Sequence, residues 1–282
     1  MNIDAEINRR DIPAKLEELL TPSDRENLTD LASYLETLPL TFSLTQNDGR
    51  SLEAVLDPET LPEIRKKLWT YMAWILGRGH QLNLTAITGG LAMYEKHILD
   101  SLSLLPLVDN AAGGSKAVLV DVGTGAGLPG LILAIVRPEL NVVLNDSLKK
   151  RLNFIDEVIA DLGLQNAVTV HARAEDLGRD PAHRERADIA VARAVAALPV
   201  LAEYCLPLVK QGGVWLAPKT LSENPADMRQ ALKHLGGGRA DTWLPPSNVE
   251  GETEYAIYAV KKTGETPRRY PRKPSQPAKN PL

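Results

Sequence analysis

The segment DVGTGAGLPG, residues 121–130, constrains this 282-residue chain more than any other. Gly123, Gly125 and Gly127 alternate with small residues between AVLVDVG (117–123), which reads as a buried strand, and LPGLILAIV (128–136), which reads as a helix. Glycine accepts positive φ and carries no Cβ, so such a turn bends tightly and lets a ligand approach the backbone. In a strand–turn–helix unit this is the ligand-facing corner of an open α/β sheet, at the carboxyl ends of the strands.

The flanking pattern extends that unit into a fold. NVVLND (141–146), AVTVHA (167–172), DIAVAR (188–193), GVWLA (213–217), a weaker stretch at 240–244 and EYAIYAV (254–260) read as further strands. Between them, residues 147–162 carry Leu148, Leu152, Ile155, Ile159 and Leu162 at steps of four and three, with Gly163 placed to end a helix. Further helical stretches fall at 197–209 and 223–235. This alternation predicts right-handed crossovers and a doubly wound, mainly parallel α/β sheet; the late pair of strands suggests one reversed edge strand. Upstream, Ile64, Leu68, Met72 and Ile75 predict a helix from Leu61 to near Gly77 and Gly79, with Trp69 and Trp74 as packing residues. Ile12, Leu16, Leu19 and Leu20 share a helical face, and Ser23 with Glu26 has capping-box spacing before Leu28 and Leu31. Residues 40–60, with Asn47-Asp48-Gly49 and Asp57-Pro58, read as loop. Three regions follow: an acidic helical extension (1–60), a main domain (61–262) and a basic, proline-rich tail (263–282).

Charge separates the ends. Residues 1–60 hold thirteen acids and five bases, whereas 261–282 hold seven bases, one acid and five prolines, so the tail is expected to be extended and surface-lying. Its bases and Tyr270 suit a nucleic-acid backbone and a stacked base; a solvated tail is the plainer alternative. A single cysteine, Cys205, excludes an internal disulfide and any multi-cysteine metal site. The N-terminal MNIDAEINRR lacks the apolar block of a secretory leader, and no apolar run approaches the roughly 20 residues of a membrane-spanning helix. These readings point to a cytoplasmic protein without a membrane partner.

The residues leave two nucleotides open. Gly125, Gly127 and Gly130 satisfy the dinucleotide pattern, and Asp146, 23 residues beyond Gly123, stands where an acid accepts from ribose hydroxyls of NAD or of S-adenosylmethionine. Capping the next helix is a compatible alternative role for Asp146. His97 and Asp100 in KHILDSL have i,i+3 spacing and could pass for a catalytic pair, but bracing of the pocket is the favoured reading.

The combined run NLTAI (83–87), KHILDSL (96–102), DVGTGAGLPG, NDSLKKRLNFI (145–155), HARAEDL (171–177), ARA (192–194), YCLPLVKQGG (204–213) and YPRKPSQPAKNPL (270–282) resembles the bacterial ribosomal RNA small subunit methyltransferase G family, also called glucose-inhibited division protein B. The resemblance covers about residues 61–282. It implies a Rossmann-like class I methyltransferase fold and transfer of a methyl group from S-adenosyl-L-methionine to N7 of a guanine in 16S rRNA, without a catalytic base or a metal. Carried over by position, it implies that Gly123, Gly125, Gly127 and Leu128 line or make room for the cofactor. Asp146 would hold the ribose beside Ser147 and Leu148, Ala174 and Glu175 would border the adenine, and Arg193 would complete the site. Lys219, in Pro218-Lys219-Thr220 where Lys-Gly is more usual, has a less settled role. The implied partner is 16S rRNA or the small ribosomal subunit, met by a monomer; the basic Lys149, Lys150, Arg151 and the tail would supply its phosphate contacts, with a plain solvated helix face as the alternative for Lys149–Arg151.

Overall fold

In a computed structural model, the chain is described for residues 12–114, 116–246 and 255–282. The readings of residues 1–11 and of Glu254 lie outside these. Among the described residues nine strands form one sheet: β1 (Thr41–Gln46), β2 (Ser51–Val55), β3 (Val118–Val122), β4 (Asn141–Asp146), β5 (Ala167–His171), β6 (Ala187–Val191), β7 (Val209–Thr220), β8 (Gly237–Leu244) and β9 (Tyr255–Lys262). Their spatial order is β2-β1-β8-β9-β7-β6-β3-β4-β5. Strands β5, β4, β3, β6 and β7 are parallel, and the order reverses between β3 and β6. That reversal opens a crevice at the carboxyl ends of these two strands, where the glycine turn leaves β3.

The inner parallel strands β3 and β6 are buried on both faces because helices cover both, whereas the edge strand β5 is partly exposed. On one face the helix Leu61–Leu82 packs against the helices Gly130–Val136 and Lys149–Asp161; Tyr71, Met72 and Trp74 are wholly buried there. On the other, the helix Leu198–Cys205 covers β7, and the helix Arg229–Leu235 packs on that helix and on β8, with Leu201, Cys205, Trp215 and Leu235 in one buried cluster.

Five sequence readings are corrected. The helix from Leu61 continues past Gly77 and Gly79 to Leu82 and ends on Asn83 in the left-handed region. Gly77 is a contact point instead of a terminus: a Cβ there would stand 3.1 Å from Leu16 Cδ2 of the short helix Ala14–Glu17. The capping box of the helix Pro22–Glu36 is Thr21 with Asp24, two residues ahead of the Ser23–Glu26 pair. Residues 41–55 are a hairpin, with Asn47-Asp48-Gly49 in its turn and Gly49 at φ 87°. Phe42 and Leu44 alternate inward as a half-buried strand requires. Strand β1 joins the sheet by pairing Thr45 with Leu244 and Gln46 with Trp243. The reversed strand β9 is consequently interior, between β7 and β8, and β2 forms the edge.

The tail is docked, which is the fifth correction. Glu203, whose side chain is fully buried, receives Arg272 through Nε at 2.9 Å and Nη2 at 2.6 Å and accepts from its backbone N–H at 2.7 Å. Arg184 donates to the carbonyls of Thr266, at 2.6 Å, and Tyr270, at 2.8 Å. Tyr270 is buried and so is not free to stack a base. Prolines prevent regular pairing, and side chains of the main domain take the tail's backbone groups instead.

Candidate functional site

The carboxyl ends of β3, β4, β5 and β6 bring together four loops: 123–130, 146–148, 171–174 and 192–197. The glycine turn is built from positive φ values of 69° at Gly123, 63° at Gly125 and 102° at Gly127. Gly130 allows the helix to press on the sheet, since a Cβ there would meet Leu144 Cδ2 at 2.5 Å and Asp121 Oδ2 at 2.7 Å.

Asp121 is the hidden support of this turn. Its Oδ2 accepts from Thr124 Oγ1 at 2.7 Å and from the Gly130 N–H at 2.9 Å. Its Oδ1 is buried with no partner, and burial pushes the carboxyl up to about 6. Tyr71 supports the turn from below: its hydroxyl donates to the Ala126 carbonyl at 2.7 Å, and a Cβ at Gly127 would lie 2.7 Å from that oxygen. Sequence reasoning missed both. Asp121 lies inside the motif but reads as part of a strand, and Tyr71 is 55 residues away in sequence from Ala126.

Asp146, at the end of β4, joins the turn directly. Its Oδ2 accepts from the Gly125 N–H at 3.0 Å and meets Arg151 Nη1 at 3.3 Å, while Oδ1 accepts from the Leu148 N–H at 2.8 Å. Asp146 does not cap the helix Lys149–Asp161, whose N-cap is Leu148 without a side-chain cap; its bond to the Leu148 N–H instead fixes the turn ahead of that helix. Ser147 is half-buried and Leu148 is exposed on the rim. Arg151 is engaged by Asp146, whereas Lys149 and Lys150 are exposed.

Ala174 opens the short helix Ala174–Leu177 beside β5. Glu175 is buried, and its Oε1 accepts from the Ser275 N–H at 2.9 Å, so this residue fastens the tail. Leu128 is buried at the start of the helix that follows the turn. Arg193 leaves β6 and donates from Nη1 to the Lys96 carbonyl at 3.0 Å, tying the 192–197 loop to the π-helical turn Tyr94–Leu99. His97 in that turn is buried, with Nε2 3.2 Å from Thr85 Oγ1 and Nδ1 without a hydrogen-bond partner. Burial, helped by the nearby Arg193 charge, drives its pKa down to about 4. The imidazole is thus neutral and enclosed, held to Thr85. Lys219, at the end of β7, donates to the Ala196 carbonyl at 2.7 Å and pairs with Glu223 at 2.6 Å. Among the described residues no His/Cys/Asp/Glu cluster could hold a metal, and no helix is long and apolar enough to cross a membrane.

A doubly wound sheet with a reversed strand beside β7, a glycine turn after β3 and an acid ending β4 defines a Rossmann-like class I S-adenosylmethionine-dependent methyltransferase. The chain belongs to the family described as rRNA small subunit methyltransferase G, whose model it matches over residues 64–235. It is 46% identical over 220 residues to the ribosomal RNA small subunit methyltransferase G of Acetivibrio thermocellus, covering 77% of this chain and 88% of that one. It is 44% identical over 237 residues to that of Desulfitobacterium hafniense, covering 83% and 96%. Among solved structures it is similar to the 16S rRNA (adenine(1408)-N(1))-methyltransferase of Catenulisporales acidiphilia at 20% identity and a TM-score of 0.44, covering 55% of this chain and 92% of that one.

The residues fit the cofactor. Of the three glycines of the turn, Gly123 and Gly125 are partly exposed, and at Gly125 a Cβ would meet no other residue's side chain, so the backbone there is open to a ligand. The carboxylate of Asp146 has about four lone-pair sites, and its three hydrogen bonds leave one for a ribose hydroxyl. The protein is an enzyme that methylates 16S rRNA from S-adenosylmethionine.

Proposed function

We propose that the methylated atom is N7 of a guanine and that the transfer proceeds without a general base. What supports this most is the state of the ionisable groups around the turn. Asp121 holds Thr124 and Gly130, Asp146 holds Gly125 and Leu148, and His97 is enclosed beside Thr85. All three are buried, with the remaining acceptor of Asp146 assigned to the ribose, so none is presented to the acceptor base, whereas a reaction that removed a proton would need a group that is. Guanine N7 carries a free lone pair and no hydrogen, so its methylation needs no such group.

S-adenosylmethionine, when bound, supplies a methyl group made electrophilic by its sulfonium. The chain's own residues then act by binding and orientation, holding acceptor and donor in line and raising their effective molarity. Gly123, Gly125, Gly127 and Leu128 would hold the cofactor chain, Asp146 with Ser147 and Leu148 the ribose, and Ala174 with Glu175 the adenine side. Arg193 would act through the 192–197 loop.

The substrate is met as 16S rRNA or the assembled subunit, by a monomer in the cytoplasm. The exposed Lys149, Lys150, Arg268, Arg269, Lys273 and Lys279 supply phosphate contacts. Residues 61–262 form the methyltransferase unit in this reading, with 1–60 as an N-terminal extension and 263–282 as a C-terminal tail; of these, 12–60 and 263–282 pack on it. Replacing Asp146 by Ala is expected to weaken S-adenosylhomocysteine binding at least ~10-fold while rRNA binding holds; unchanged cofactor affinity in calorimetry would refute the ribose role.

A further inference from the structure

A cleft of about 520 Å³ opens between the 194–199 loop and the end of β7, lined by Lys219, Ser222, Glu223, Asn224 and Asp227. We propose that it receives the target guanine and that the Lys219–Glu223 pair reads the O6 and N1–H edge of the base. The proposal rests on the guanine reading above and goes further, to the residues that would select that base.

The cleft has the volume of a small-ligand site. It also adjoins the cofactor turn. Val195, in its wall, is the residue whose Cγ2 would stand 2.7 Å from a Cβ at Gly123, so one side chain separates the cleft from the turn. The Lys219 side chain is only 9% exposed, and its ammonium donates to Ala196 O and Glu223 Oε1. An ammonium has three hydrogens, so one remains for a ligand. Glu223 is fixed from outside the cleft, because its backbone carbonyl accepts from Tyr258 Oη at 2.8 Å. Its side chain is 34% exposed, and Lys219 engages Oε1, leaving Oε2 to accept.

An ammonium beside a carboxylate presents a donor and an acceptor a hydrogen bond apart. Guanine offers the complement on neighbouring atoms, O6 as acceptor and N1–H as donor. Adenine offers the reverse, an N6 amino donor beside an unprotonated N1, and would set donor against donor and acceptor against acceptor. The contact falls on O6 and N1, so the N7 lone pair stays open for the methyl group.

The test uses small subunits reconstituted with 16S rRNA carrying either guanine or 2-aminopurine at the methylated position. 2-Aminopurine keeps N7 and the 2-amino group but lacks O6 and N1–H. Wild-type enzyme is expected to prefer guanine by about 100-fold or more in kcat/KM. Glu223→Gln is expected to lose ~10- to 100-fold on guanine and little on 2-aminopurine, collapsing that preference, with S-adenosylhomocysteine affinity within about twofold of wild type. Lys219→Met should collapse it likewise. Equal losses on both bases would mark the pair as merely structural and overturn the proposal, as would an undiminished preference. A wild-type product other than 7-methylguanosine would overturn the underlying guanine-N7 reading instead, which separates the two failures.

Discussion

Asp121 shows how a single residue sets the condition of the whole turn. Its carboxyl is raised by burial from an ordinary value near 3.8 to about 6. Its contribution to stability is therefore full below pH 3.8 and lost as pH rises through 6. Asp121→Asn keeps an acceptor for Thr124 and Gly130 without the buried charge. Relative to wild type, the variant is expected to gain roughly 3 kcal/mol between about pH 4 and 7, read from urea midpoints. His97 has the opposite sign: depressed to about 4, it favours the fold above pH 6.5 and loses that contribution as pH falls through 4. Tyr71→Phe strips the Ala126 carbonyl of its donor and is expected to cost about 1–3 kcal/mol and to weaken S-adenosylhomocysteine binding. Thermal unfolding with and without that ligand separates the two effects. At this scale the glycine turn and Asp146 were legible, because backbone freedom and an acid at a strand end leave a local signature. Tyr71 and Asp121 were not, because their role is set by burial and by partners that only the fold supplies.

Elements reveal where local pattern and tertiary context part. The parallel strands were legible because each is a short apolar run between turn signals. The hairpin β1–β2 was not: Asn-Asp-Gly reads as loop punctuation although the same residues turn a hairpin, and only β8 across the sheet makes the difference. The tail reads as free because its prolines disfavour regular structure, yet it docks and even forms the short helix Gln276–Lys279. Its hold rests on Glu203, and Arg272→Ala leaves that carboxylate buried without its ion-pair partner. A loss of about 3–5 kcal/mol is expected, against far less for the exposed Lys279→Ala. Deletion of 263–282 is correspondingly expected to lower both rRNA and S-adenosylhomocysteine binding, since Glu175 beside the cofactor corner loses Ser275. An unchanged cofactor affinity in the truncated protein would show that docking and site are independent.

Across the whole molecule, one sheet carries the proposed cofactor corner at the β3/β6 switch point and the cleft at the end of β7. Both open at the carboxyl ends of the parallel strands, so an rRNA held by the exposed lysines and arginines of 149–150 and the tail would present its base to the same edge. Affinity for rRNA should accordingly fall steeply with salt, and charge reversal at Lys149 and Lys150 should flatten that slope by about one unit for each phosphate no longer neutralised. The most direct measurement is the identity of the product. Small subunits lacking the modification are incubated with the enzyme and methyl-labelled S-adenosylmethionine, and the 16S rRNA is digested to nucleosides. Label in 7-methylguanosine is the predicted result; label in any other nucleoside, or none while S-adenosylhomocysteine binds, would contradict transfer to guanine N7.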